Sequence, residues 1–154
     1  DGGDRAVQFR GVGKKDVVIG IAASGRTPFV WGAMEAAAKR GAKTALVCFD
    51  GKVRRRKRVP ALIVAAVIGP EVLTGSTRLK AGTATKLILN CITTLAMVRL
   101  GKVAGNLMVD LDPKNEKLRG RAVRIVRTLA GVSEAEAREV LERCGWEVKE
   151  CINP

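Results

Sequence analysis

Apolar and polar positions follow two different periods along this 154-residue chain. Val17-Val18-Ile19-Gly20-Ile21-Ala22-Ala23 is a continuous, largely β-branched apolar run, which predicts a strand buried on both faces. Lys43 to Phe49 reads as a second buried strand and Ala61 to Ile68 as a third. Between the first two, Trp31, Met34, Glu35, Ala38 and Lys39 fall on a helical repeat. Pro28 suits the first helical position, Thr27 or Ser24 suits its cap, and Gly41 stops it. Strand, short polar turn, helix and strand make a βαβ unit. The carboxyl ends of parallel strands are where open α/β sheets bind ligands. Residues 3–11 look like the last turns of a helix whose start lies upstream.

From about Thr77 to Leu100 the pattern is helical and largely apolar, with Lys80, Thr83, Lys86, Asn90 and Thr94 interspersed, and predicts a core helix packed on a sheet. No apolar run is expected to reach membrane-spanning length. Val103 to Asp112 reads as a semi-apolar connector. Asp112-Pro113 then gives a cap and a first helical position, with Leu118, Ala122, Ile125, Val126 and Leu129 on one face. Arg119, Arg121, Arg124 and Arg127 lie off that face, which assigns much of the net charge to the surface of this helix. Ser133 to Glu136 is a Ser-x-x-Glu capping box, Gly145 breaks the helix it starts, and residues 146–152 make a last short one. Three short helices thus follow the α/β part as a small bundle.

Two turns carry candidate chemistry. Ser24-Gly25-Arg26-Thr27 joins the first strand to its helix with small and hydroxyl-bearing residues that let an anion approach the backbone. Gly75-Ser76-Thr77 sits where the apolar run from the third strand gives way to the long helix, with Arg78 and Lys80 beside it. A helix start with free N–H groups and nearby cations is an anion site, or Ser76 or Thr77 is simply an N-cap. A formal charge of +13 points the same way, toward acidic partners. The run Lys52, Arg54, Arg55, Arg56, Lys57, Arg58 is either a solvated loop or a nucleic-acid patch. Aromatic residues make up only 3%, and tyrosine is absent, which argues against base stacking and so against nucleic acid. There is no histidine, which excludes histidine-based acid–base chemistry. Cys48, Cys91, Cys144 and Cys151 form no Cys-x-x-Cys pair, which disfavours a metal site; two fall within apolar patterns like buried free thiols, and a reducing cytoplasm fits.

Three stretches together, Val18 to Pro28, Gly69 to Thr83, and Gly105-Asn106-Leu107-Met108-Val109-Asp110, resemble the bacterial N-acetylmuramic acid 6-phosphate etherases. The resemblance runs from about Val12 to Ile152. It implies a parallel-sheet sandwich of the SIS (sugar isomerase) type, incomplete at its N-terminus and covering residues 1–105. A helical tail similar to ubiquitin-associated (UBA) bundles would cover residues 106–154. The implied activity is a carbon–oxygen lyase reaction on the lactyl ether of N-acetylmuramic acid 6-phosphate, giving N-acetylglucosamine 6-phosphate and D-lactate in amino-sugar catabolism and cell-wall recycling. No metal or organic cofactor is implied. The implied setting is a cytoplasmic homodimer whose partner is a phosphorylated amino sugar, with no membrane.

Carried over position by position, Ser24, Gly25, Arg26 and Thr27 would line the sugar-phosphate pocket, and Ser76, Thr77 and Arg78 would lie near phosphate. Glu71 would stand where it can hydrogen-bond a sugar hydroxyl or serve a structural role. The first-strand Gly-x-Gly-Thr-Ser-Gly-Arg motif and the two acid–base glutamates of those enzymes do not occur here, so no catalytic residue is carried over. The basic loop Lys52 to Arg58 replaces a Cys-Asn-Pro-like segment. Without the first strands, the sheet is expected to expose an edge and apolar helix faces. The alternative reading is a non-catalytic sugar-phosphate-binding regulator of the SIS family, of the kind represented by glucokinase regulatory protein.

Overall fold

The computed structural model describes residues 2–56 and 59–152. It is a mixed α/β structure with a small parallel sheet and several helices, and its contacts divide it into two units, Asp1–Asn90 and Cys91–Pro154. In the first unit, strands β1 (Val17–Ile21), β2 (Lys43–Cys48) and β3 (Leu62–Ala65) pair in parallel in the order β1-β2-β3. Val17 pairs with Lys43, and Ala45 with Leu62. Only β2 has a neighbour on each side, and its Leu46, Val47 and Cys48 are buried. Thr44, also buried, satisfies its hydroxyl by accepting from the Ala61 N–H at 3.2 Å.

The first apolar run is therefore not a strand buried on both faces. It ends at Ile21 and lies at the sheet edge, with Val17 63% exposed. A β-branched run specifies extended backbone but not a place in the sheet, which depends on the pairing partners. Leu62 on the opposite edge is exposed too, in keeping with the expected bare edges.

Helix α1 (Gly2–Phe9) packs on α2 (Pro28–Lys39) through Val7, Ala36 and Ala37. Gly3 permits this approach. A Cβ there would collide with the Phe29 carbonyl oxygen and stand 2.5 Å from the Ala33 nitrogen, both backbone atoms. Trp31 and Met34 on α2 close over Ala22, Leu46 and Cys48 to form the core against the sheet. Helix α3 (Lys80–Arg99) departs from expectation: only Ala81 is buried, and residues 91–99 are all exposed. Leu87 is 59% and Leu95 62% exposed, so α3 is not a core helix in this chain. Cys91, which falls within this apolar pattern, is exposed with it. Apolar content marks a helix that needs cover, but the covering layer must come from elsewhere. By length and composition alone α3 is long and apolar enough to cross a membrane, which corrects the expectation that no run reaches that length.

In the second unit the supposed connector is a two-stranded hairpin, β4 (Val103–Ala104) and β5 (Leu107–Met108). Gly105, at φ 58°, supplies the left-handed first position of its two-residue turn. Helix α4 (Glu116–Ala130) starts later than expected. Its cap is Asn115, whose Oδ1 accepts from the Leu118 N–H at 2.9 Å, rather than Asp112. Helix α5 (Glu134–Arg143) has the expected capping box: the Ser133 N–H donates to Glu136 Oε2 at 2.8 Å, and the Glu136 N–H to Ser133 Oγ at 3.3 Å. With α6 (Val148–Ile152), these helices enclose Ala122, Val123, Ile125, Val126, Ala137, Leu141 and Val148. The four α4 arginines lie outside, as expected. The second unit as a whole nevertheless has eleven Lys and Arg against nine Asp and Glu, so the excess on α4 is largely offset within its own unit and most of the net charge lies in the first unit. All four cysteines are free, and burial, with Cys144 beside it, pushes the Cys151 thiol up to about 12.

Gly3→Ala is expected to cost about 1–3 kcal/mol, because backbone atoms on α2 must yield. Gly13→Ala, which meets nothing within 4 Å, should be neutral. Equal stability of the two variants in urea unfolding would contradict the close packing. In the second unit, Leu141→Ala is expected to cost about 2–5 kcal/mol. Leu95→Gln should leave unfolding unchanged, and a comparable loss there would show that α3 is covered after all.

Candidate functional site

Because the three strands run parallel, the turns that follow them all leave from one edge of the sheet. The first turn is held from inside. The Gly25 N–H donates to the Ala22 carbonyl at 2.8 Å, and the Gly25 carbonyl accepts from the indole N–H of Trp31 at 2.7 Å, a buried bond. Gly25 has φ 66°, and a Cβ would run into the Val53 side chain, so both backbone and space require glycine. Ser24, Arg26 and Thr27 are exposed around it. The Ser24 hydroxyl accepts from the Arg26 N–H at 3.3 Å, a local turn rather than a helix cap. Thr27 takes the N-cap position of α2, but its side chain makes no capping bond. Its carbonyl accepts from the Val30 and Trp31 N–H groups. Thr27 is thus an exposed residue at a helix start whose hydroxyl is not used to cap it.

The second turn adds a residue that sequence reasoning missed. Asp50 Oδ1 accepts from the Lys52 N–H at 2.8 Å, and its Oδ2 from Arg26 Nη2 at 3.1 Å. The Lys52 N–H first, then the Arg26 guanidinium, hold its carboxyl below the usual carboxylate range. The signal was present: an Asp-Gly pair directly after a strand reads as a turn whose carboxylate bonds backbone two residues on. What it could not show is that the second oxygen reaches Arg26, 24 positions away. Of the basic run, Lys57 and Arg58 lie outside the described residues.

The third turn is the anion site expected at Gly75-Ser76-Thr77, and here the structure corrects the reading. Helix α3 begins at Lys80, so neither Ser76 nor Thr77 caps it. Its first N–H groups are not free. Glu71 Oε2 accepts from the Lys80 N–H and Oε1 from the Ala81 N–H, both at 3.0 Å. The chain's own carboxylate occupies the position an external anion would take. The Ala81 N–H first, then that of Lys80, hold the Glu71 carboxyl below its usual range. Ser76 Oγ accepts from Arg78 Nε at 3.0 Å, and the Thr77 carbonyl from the Gly82 N–H. The structure thus gathers Ser24, Gly25, Arg26 and Thr27 with the Asp50 turn, and Glu71, Ser76, Thr77 and Arg78 around the start of α3. Among the described residues no hydrogen bond or ion pair joins the two groups. Nor, among them, do three or more His, Cys, Asp or Glu side chains converge as metal ligands.

Residues 105–153 match a family described as the C-terminal lid domain of glucokinase regulatory protein. The chain as a whole is similar to curated proteins named N-acetylmuramic acid 6-phosphate etherase. It is 52% identical to that of Rubrobacter xylanophilus over 142 residues, 92% of this chain and 46% of the relative. It is 50% identical to that of Cutibacterium acnes over 155 residues, 99% and 51% respectively. For Rhizobium rhizogenes the identity is 48%, covering 97% and 48%. The chain spans about half the length of the curated relatives it matches, consistent with a C-terminal portion.

Since Glu71 is bound more tightly as a carboxylate in the folded chain, its contribution is full above the ordinary carboxylate pKa and fades as pH falls through the lowered folded value. Glu71→Gln is therefore expected to unfold at a lower temperature than the parent at pH 7, with the two curves converging toward pH 3. Parallel curves across that range would mean that the two hydrogen bonds contribute nothing.

Proposed function

We propose that this chain is the C-terminal portion of an N-acetylmuramic acid 6-phosphate etherase, acting in amino-sugar catabolism and cell-wall recycling. The observation that carries the reading is identity of about 50% to proteins of that name along nearly its whole length. The reaction eliminates the lactyl group and adds water, a sequence of proton transfers at a sugar carbon and at the leaving ether oxygen. No described residue is assigned as its acid or base. The role proposed for this portion is to hold the phosphorylated amino sugar.

Ser24, Gly25, Arg26 and Thr27 would line that pocket. The Thr27 hydroxyl, unspent on its own helix, and the α2 start beside it suit a phosphoryl oxygen. Ser76, Thr77 and Arg78 would lie near the phosphate. Glu71 would bond a sugar hydroxyl only if it released the α3 N–H groups, so its structural role is the better supported. The same reading includes a SIS-type sandwich over residues 1–105, a UBA-like tail over 106–154, a homodimer and a cytoplasmic setting. The exposed edges Val17 and Leu62 and the bare face of α3 support an arrangement in which further protein covers this sheet.

A second reading, a sugar-phosphate-binding regulator without turnover, is favoured by one observation: the family matched by residues 105–153 is described from a regulatory protein. Lactate release from N-acetylmuramic acid 6-phosphate separates the two. It should be measured for this chain alone and for the chain joined to the N-terminal half of the Rubrobacter relative. Release by the joined form alone is expected. Binding of N-acetylglucosamine 6-phosphate without release in either form would favour the regulator, and neither binding nor release would end both. In the joined form Thr27→Ala is expected to weaken N-acetylglucosamine 6-phosphate binding about tenfold, as for one lost bond to a charged group.

A further inference from the structure

Of the 28 Lys and Arg, seventeen lie in residues 1–90, against six of the 15 Asp and Glu. Part of that surplus is folded around a concave surface. The loop after β2 meets the β1–α2 turn across a cleft of about 150 Å³, walled chiefly by Arg26, Trp31, Asp50, Lys52, Arg54 and Arg56. Four cations and one carboxylate share this wall.

Three features distinguish it from a solvated basic run. Arg54 is held by its own loop: Nη1 donates to the Gly51 carbonyl at 2.8 Å and the Val53 carbonyl at 3.0 Å, leaving Nε and Nη2 as donors. Arg56 is held twice. Its guanidinium lies 4.3 Å over the Trp31 ring, and its backbone pairs in both directions with Val59, at 2.9 and 3.1 Å. The single carboxylate, Asp50, is already committed to the Lys52 N–H and Arg26. Arginines restrained before a ligand arrives lose less freedom on binding it.

We propose that this cleft is an oxyanion subsite that takes a phosphoryl group bearing at least two negative charges, with Lys52, Arg54 and Arg56 as its ligands and Arg26 at its rim. Among the described residues, four cations against one carboxylate leave this small concavity a net charge of three, which matches a doubly charged phosphoryl oxygen cluster better than a single carboxylate. A polynucleotide is disfavoured because Trp31, the aromatic residue of the cleft wall, is only 3% exposed and Arg56 covers its ring, which closes that ring to a base. The subsite adjoins the Ser24–Thr27 turn but does not depend on the etherase reading. It would serve free pyrophosphate or a second phosphoryl group on a sugar.

Calorimetric titration of the 154-residue chain at low salt tests this with three probes: inorganic pyrophosphate, N-acetylglucosamine 6-phosphate and a single-stranded RNA. Arg54→Ala, an exposed change, and Arg54→Ala with Arg56→Ala are compared with the parent after thermal unfolding has shown each to be folded. Pyrophosphate binding is expected to weaken about tenfold in the single variant, as for one lost charge-assisted contact, and further in the double. N-acetylglucosamine 6-phosphate has one phosphoryl group, assigned above to the Ser24–Thr27 turn, so its binding should change by less than about twofold on the same scale. If that sugar phosphate does not bind the parent while pyrophosphate binds through Arg54, the phosphosugar reading of the neighbouring turn fails and the subsite stands. The proposal is overturned if pyrophosphate does not bind the parent, or binds Arg54→Ala equally well. It is also overturned if both small ligands weaken together, or if only RNA binding responds.

Discussion

The buried hydrogen bond from the Trp31 indole to the Gly25 carbonyl is the constraint on which the carboxyl-terminal edge of the sheet depends. It ties the turn after β1 to the helix that follows and leaves that turn no freedom to splay. It also orients the indole. One side of Trp31 packs into the core with Met34 and Leu46, and Arg56 covers the ring. The same residue therefore positions the candidate sugar-phosphate turn and the basic loop beside it. Val53 presses on Gly25 from that loop, so the two turns shape each other through side-chain contact as well as charge.

Charge at this edge is arranged by pairing some groups and sparing others. Asp50 and Glu71 are the two carboxylates in the turns, and both are satisfied by backbone N–H groups. Each is thereby kept ionised to lower pH than a free carboxylate. Glu71 consumes the positive end of α3, the longest helix and on paper the better anion site. What remains open is the start of α2, where Thr27 contributes no cap, and the cluster of cations around Arg54 and Arg56. A doubly occupied helix start would need one anion displaced by another, so the unfilled positions are the ones with binding capacity to spare.

Local features were legible where the deciding partners sit within a few residues. The Ser133–Glu136 box and the βαβ order follow from such short-range rules. The start of α4 was misplaced because Asp112-Pro113 and Asn115 both satisfy those rules, and the Asn115 side chain reaches Leu118. The hairpin at Gly105-Asn106 was missed because two-residue strands carry too few side chains to show a period. For the site, Ser24 to Thr27 was readable as a turn between strand and helix. The Asp50–Arg26 bond and the covering of Trp31 by Arg56 were not, because they join positions 24 and 25 residues apart.

By itself the sequence determined extended and helical segments, their order, the capping box of α5, and the likeness to a family of phosphosugar enzymes. These rest on backbone preferences and side-chain periodicity, which act over a turn or two of chain. Tertiary structure decided that β2 is central and β1 an edge, that α3 is left bare, and that Glu71 fills the helix start nine positions downstream. Burial, sheet position and the occupancy of a charged site belong to partners brought from far along the chain. Only the folded arrangement selects which of several chemically equivalent partners arrives.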